Sequence, residues 1–162
     1  MKLCVIWDLC QTLADTRHRL HHILKKPANW PEYDKHMMKD KPYAGSKLIY
    51  CAMMSRDVPQ IIITGRGERT REMCNLWMMQ HGMLHQGLYM RPEKDNTPSD
   101  RLKRELLTQA RADGWHPVLA FEDHPATVSM YRSEGIQVFA ADNSSWTNGE
   151  FCEVLSPVET LR

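Results

Sequence analysis

Leu3-Cys4-Val5-Ile6-Trp7-Asp8-Leu9-Cys10-Gln11-Thr12-Leu13 opens on five apolar residues and stops abruptly at a carboxylate. The run from Leu3 to Trp7 is continuous rather than alternating and rich in residues that suit a pleated surface. It therefore reads as a strand buried on both faces, with Asp8 at its exit. Gln60-Ile61-Ile62-Ile63 ends the same way at Thr64-Gly65-Arg66, and Pro117-Val118-Leu119-Ala120-Phe121 does so at Glu122-Asp123. A fourth run, Ile136-Gln137-Val138-Phe139-Ala140, has no acidic end.

Working outward, helical patterns fall between these runs, at Ser46 to Ser55, Glu68 to Gln80, Ser99 to Ala112 and Ala126 to Ser133. In the third, Leu102, Leu106 and Ala110 recur every four residues, Ser99 is placed to cap the start, and Gly114 to end it. Strands alternating with helices of this length predict an α/β fold, a Rossmann-like parallel sheet flanked by helices on both faces. Ligands of such sheets bind beyond the carboxyl ends of the strands. Asp8, Thr64 and Glu122-Asp123 would all be carried there.

The 162 residues are 42% hydrophobic, enough for one ordinary domain and too few for two. Residues 14–45 interrupt the alternation with a polar, His- and Lys-rich stretch that reads as a small helical cap over the strand ends. Residues 142–162 form a C-terminal extension with Trp146 and Phe151 as anchors. Lysine and arginine total 21 against 20 acidic residues, so no global field favours nucleic acid or an anionic membrane, and any anion binding must be local. Five cysteines form an odd set with no Cys-x-x-Cys pair, which argues against a disulfide framework or a zinc knuckle and for a reducing, cytoplasmic setting. No stretch reaches the ~18 apolar residues that a membrane span needs.

The polar ends of the strands share one chemistry. A carboxylate at Asp8 can attack phosphorus and bind Mg²⁺. Thr64, opening a Thr-Gly-Arg turn, offers a hydroxyl and backbone N–H groups to phosphate oxygens. Lys103 is a point charge able to neutralise phosphate and restrain Asp8. Glu122 and Asp123 are hard oxygen ligands suited to Mg²⁺. Each has a plain structural reading by itself: a loop start, a turn, a solvated lysine. Their order along the chain is what points to a common anion.

On these residues the sequence resembles the haloacid-dehalogenase-like superfamily, and within it the 3′-phosphatase domain of phage-type polynucleotide kinases. The pattern Asp-x-Asp-Gly-Thr-Leu falls on Asp8-Leu9-Cys10-Gln11-Thr12-Leu13, followed by Ala14 to Leu20. Thr64-Gly65-Arg66 is similar to the second motif. Leu88 to Pro92, with Asp95, Pro98, Asp100 and Lys103-Arg104-Glu105, is similar to the third region, and Glu122-Asp123 with Val128, Met130, Tyr131 and Arg132 to the fourth. The glycine-rich kinase loop ending Gly-Lys-Ser/Thr is absent from the sequence. The resemblance implies Asp8 as nucleophile, Thr64 and Lys103 as phosphate holders, Glu122 and Asp123 as the acidic metal site, and the backbone carbonyl of Cys10 as a further Mg²⁺ ligand.

The departure lies at Cys10 and Gln11. In the family's phosphatases an aspartate two residues after the nucleophile protonates the leaving alcohol and later activates water. With Cys10 there, phosphate and Mg²⁺ binding can survive while turnover loses the ~10²–10⁴-fold that a positioned acid or base contributes. A thiol with a pKa near ~8.5 is still a weak proton donor, and Cys10 also reads simply as a small residue filling space. Gln11 in place of glycine puts a side chain where the loop passes near ligand, and is expected to reshape the pocket. Dehalogenases also lack the aspartate, but the cap and third region resemble them less.

Three functions stay open. The first is a phosphatase-derived protein that binds a phosphorylated nucleotide with hydrolysis lost or weakened, sequestering a nucleotide signal in a phage-like setting. The second is an active Mg²⁺-dependent phosphohydrolase acting on a nucleotide or a 3′-phosphorylated nucleic-acid end. The third is a protein-interaction scaffold. His18 and Arg19, close behind the nucleophile, are expected to contact substrate, and Arg66 and Arg91 with Gly65 to meet phosphate. His18, His21 and His22 have metal-binding spacing but read better as a solvated cap face. Trp30 and Tyr33 either stack on a base or pack the cap.

Overall fold

A computed structural model describes residues 2–141; the extension expected at 142–162, with Trp146 and Phe151, lies outside the described residues. The chain runs β1 (Lys2–Trp7), β2 (Ala14–Asp15), α1 (His21–Leu24), α2 (Trp30–Lys35), β3 (Lys41–Pro42), α3 (Ala44–Met54), β4 (Gln60–Gly67), α4 (Arg71–Gln80), β5 (Gly87–Arg91), α5 (Ser99–Ala112), β6 (Trp115–Glu122), α6 (Pro125–Ser133) and β7 (Gln137–Ala140). The main sheet has the order β5-β4-β1-β6-β7, and every pairing in it is parallel.

Alternation along the strands splits the core into two layers. Val5, Trp7 and Ile62 face one side with Tyr50 of α3 and Cys74, Trp77 and Met78 of α4. Cys4, Ile6, Ile61 and Ile63 face the other with Leu102, Leu106, Leu107 and Ala110 of α5 and Met130 and Tyr131 of α6. This is the two-sided cover the continuous apolar runs require. The last four residues of β1 are buried but Leu3 is exposed, and β6 exposes His116 and Val118, so only the β4 run Gln60–Ile63 fully meets the expected burial on both faces.

Two expectations are corrected. Gly87–Arg91 forms an edge strand that no apolar run announced, because it is short, starts with glycine and buries only Met90. Pro98, not Ser99, precedes the first helical residue of α5, and no side chain caps that end. Gly114 does follow the helix, at φ +90, a conformation that costs glycine nothing.

The cap is less helical than expected. Its base is a two-strand antiparallel ribbon pairing Ala14 with Pro42 and Asp15 with Lys41. Between these lie only short helical segments, from the 3-10 turn Arg17–Arg19 to α2. Their apolar surface is too small to hold them alone, and they depend on Leu13, Tyr33 and Met37, which are buried.

Candidate active site

The chain leaves β1 toward β4 on one side, and leaves β6 toward β7 on the other. The crevice beyond the carboxyl ends of β1 and β6 is therefore the topological switch point, where open α/β sheets bind ligands. Asp8 emerges from β1 there, and Glu122 and Asp123 from β6. Lys103, on the first turns of α5, reaches the same point. Its Nζ donates to Asp8 Oδ1 at 2.5 Å and to Glu122 Oε2 at 2.7 Å. All four side chains are buried.

Asp8, Glu122 and Asp123 each present an oxygen within 4.8 Å of the others, a group that could hold a metal ion. Burial alone would strip Lys103 of its proton, but Asp8 and Glu122 outweigh it and hold the lysine well above its usual range. Burial pushes Glu122 up to about 8, with Lys103 opposing and Asp8 and Asp123 adding their repulsion. Both partners move upward, Lys103 through the attraction of Asp8 and Glu122 and Glu122 chiefly through burial. The surplus negative charge, offered by hard oxygens, is what a small divalent cation such as Mg²⁺ fits. Thr12 Oγ1 donates to Asp123 Oδ1 at 3.1 Å and the His124 N–H to Glu122 Oε1 at 3.1 Å, orienting both acids.

The acidic corner opens into a cavity of about 500 Å³, also lined by Cys10, Thr64, Gly65, Arg66 and Arg91. Thr64 Oγ1 accepts from the Arg66 N–H at 3.3 Å; β4 runs on through Gly67, so the stretch expected to be a turn is strand, with its pairing to β5 interrupted between Ile63 and Gly67. Arg91 donates to the Gly65 carbonyl at 3.1 Å and to those of Asp95 and Thr97 at 3.3 and 2.7 Å, tying the loop after β5 to the last residues of β4. Arg66 Nε donates to Cys10 Sγ at 3.1 Å. Burial pushes the Cys10 thiol up against the opposing pull of Arg66, so sulfur stays protonated at neutral pH.

His18 and Arg19, expected to reach substrate, are not among the residues that line this cavity. Asp40 holds both. Its carboxylate accepts from His18 at 2.9 Å, from Arg19 at 2.7 and 2.6 Å, and from Arg66 at 2.9 Å. Arg19, 1% exposed, also donates to the Tyr33 carbonyl and lies 3.8 Å over the Tyr33 ring. Of the expected arginines, Arg66 alone both faces the cavity and serves this anchor. The carbonyl of Asp40 further accepts from the Trp77 indole at 2.8 Å. A lone aspartate in a polar stretch carries no mark in the sequence that separates it from a solvated one, so Asp40 was not foreseen.

Gln11 does not reshape the pocket as expected. It is 2% exposed and turned away, its Oε1 accepting from the Thr16 N–H at 3.2 Å and the Tyr43 hydroxyl at 3.1 Å. Its φ of +62 explains why glycine suits this position.

The family model for the polynucleotide kinase PNKP phosphatase domain matches residues 2–146. The chain belongs to that family. The chain superposes on the structure of a Pnkp1/Rnl/Hen1 complex with a TM-score of 0.73 at 19% identity, over 87% of this chain and 45% of that one. It matches a class C acid phosphatase from Bacillus anthracis with tungstate bound at a TM-score of 0.63 and 16% identity, over 88% and 67%. A haloacid dehalogenase-like hydrolase from Streptococcus pneumoniae follows at 0.59 and 13%, over 86% and 84%. These likenesses establish a haloacid-dehalogenase-like fold. The chain spans about 45% of the length of the Pnkp1-containing relative. No curated protein matches. Among the described residues, no helix of the phosphatase domain is long and apolar enough to cross a membrane.

Proposed function

We propose that this protein binds a phosphorylated nucleotide at a Mg²⁺-assisted phosphate site and hydrolyses it weakly or not at all. Family membership and the convergence of Asp8, Thr64 and Lys103 support the phosphate site. The observation that carries the loss of turnover is Cys10. Two residues beyond Asp8, the cavity meets a sulfur bonded to Arg66 Nε at 3.1 Å, not a carboxylate. Sequestering a nucleotide signal, in a phage or elsewhere, would be the use of such a site.

Asp8, Asp123 and the Cys10 carbonyl would hold Mg²⁺, which supplies charge neutralisation for the phosphate oxygens. Both Glu122 oxygens already accept protein N–H donors, so we assign Glu122 to positioning Lys103. Thr64 and the backbone N–H of Gly65 would hold the phosphate. For transfer, an Asp8 oxygen forms a bond to phosphorus as the bond to the leaving alcohol breaks, and the departing oxygen takes up a proton. Water then cleaves the aspartyl phosphate. Only the protonation and the activation of water lack their carboxylate.

The second reading, an active Mg²⁺-dependent phosphohydrolase on a nucleotide or 3′-phosphorylated end, is favoured by the intact Lys103–Asp8 pair. Phosphate release from nucleoside monophosphates and 3′-phosphorylated oligonucleotides with Mg²⁺ separates the two. The natural chain should be slow or silent, and Cys10→Asp should gain roughly 10²–10⁴-fold. Robust turnover by the natural chain, with no gain in Cys10→Asp, would replace the binding reading by the enzymatic one.

A further inference from the structure

The cavity has a second wall that the phosphate chemistry leaves unused. Leu20, Ile23, Trp30 and Tyr33 of the cap line it opposite the loop after β5. Leu20 and Tyr33 are buried at 7% and 6% exposure, and the guanidinium of Arg19 already covers the tyrosine ring at 3.8 Å. Trp30 differs. It lines the cavity and is 50% exposed, so it has indole surface that no neighbouring side chain covers.

That indole is held in place. Trp30 opens α2, where the Asn29 side chain accepts from the Glu32 N–H at 3.1 Å. It meets the Tyr33 ring edge-on at 5.8 Å and 86°. Four residues on, Asp34 takes two bonds from the half-exposed Arg69, at 2.9 and 2.6 Å, which link α2 to the turn after β4. A fixed aromatic face loses little freedom when a ring stacks on it. A protein partner would need on the order of 800 Å² per side, far more than one ring recessed in a cavity offers.

Charge narrows the ligand further. Asp34, Glu93 and Asp95 line this part of the cavity with Lys94, and the charge of Arg69 is spent on Asp34, so carboxylates outnumber the remaining cation there. Additional phosphates directed there would meet carboxylates, whereas a neutral ring would not.

We propose that Trp30 is the platform on which the base of a nucleoside monophosphate stacks while its single phosphate sits at Asp8, Thr64 and Lys103. This inference rests on the phosphate-site reading above and adds the base to it. It explains how one cavity with no net basic charge could prefer a nucleotide over a simple phosphate ester, since base–aromatic stacking is tolerant of base identity.

Calorimetric titration with Mg²⁺ tests it, using adenosine 3′-monophosphate and inorganic phosphate against the natural chain, Trp30→Ala and Trp30→Phe. The nucleotide should bind more tightly than phosphate. Trp30→Ala should weaken the nucleotide roughly 5- to 100-fold and leave phosphate unchanged, which also shows that the variant is folded. Trp30→Phe should keep most of the affinity. Equal nucleotide affinity in the natural chain and Trp30→Ala, with phosphate still bound, would overturn the platform and leave the phosphate site standing. Failure of the natural chain to bind either probe would overturn both readings.

Discussion

Burial raises Glu122 to about 8, with Asp8 and Asp123 adding their repulsion and Lys103 opposing it. In the unfolded chain the same carboxyl ionises near pH 4.5. Between those values the folded protein binds a proton that the unfolded one releases. The contribution of Glu122 to stability is therefore complete below about 4.5 and lost as pH climbs to about 8. Urea midpoints without Mg²⁺ should show it as an advantage over Glu122→Gln that shrinks across this window, on the order of a few kcal/mol. A difference that stays level from pH 5 to 8 would mean that Glu122 ionises normally. Gln11 shows a different balance. A non-glycine residue at φ +62 costs about 1–2 kcal/mol, and the two hydrogen bonds of its side chain, at about 1 kcal/mol each, offset that. Gln11 is thus a strut between the nucleophile loop and the cap ribbon, and the departure from glycine there has a structural reason.

Short elements of the cap hold together through charge more than through apolar area. Arg19 follows β2, Asp40 precedes β3 and Arg66 belongs to β4, so one buried carboxylate joins both ends of the cap to the core. Removing it would leave two buried guanidinium groups without a counter-ion. Asp40→Ala should lower unfolding free energy by about 3–5 kcal/mol. The neighbouring Asp34–Arg69 bridge has a half-exposed arginine, so Asp34→Ala should cost only about 0–1 kcal/mol. Parallel urea titrations of the two variants check the contrast, and equal losses would refute the assignment of Asp40 as the anchor. Arg66 has a second consequence at this scale. The same side chain that bonds Cys10 also grips Asp40, so cap position and the surroundings of the thiol are coupled.

At the scale of the whole molecule, the ends of β1 and β6, remote in sequence, supply a surplus of negative charge around the one ammonium of α5, and a cation bound there favours only the folded chain. Saturating Mg²⁺, at about 100 times its Kd, should add about 2.7 kcal/mol and raise Tm by about 5–10 °C. Asp123→Asn should abolish that rise, and an undiminished rise would place the metal elsewhere. Much of this arrangement was legible in the residues. The runs ending at Trp7, Ile63 and Phe121 marked the three central strands, because only a strand covered on both faces is continuously apolar. The polar residues that stop them marked the ligand end, and the Asp8 to Leu13 pattern marked the family. What the sequence could not reveal depends on which side chains meet. Nothing local separates Asp40 from a solvated aspartate, sends Arg19 and His18 to it and not to a ligand, or hides Tyr33 while leaving Trp30 open. The order of apolar and polar residues along the chain determined the sheet and the chemistry at its edge, since burial periodicity is a one-dimensional signal. Only tertiary structure decided the partners of the charged groups, because a charge leaves water only where an opposite one, from another part of the chain, is already waiting.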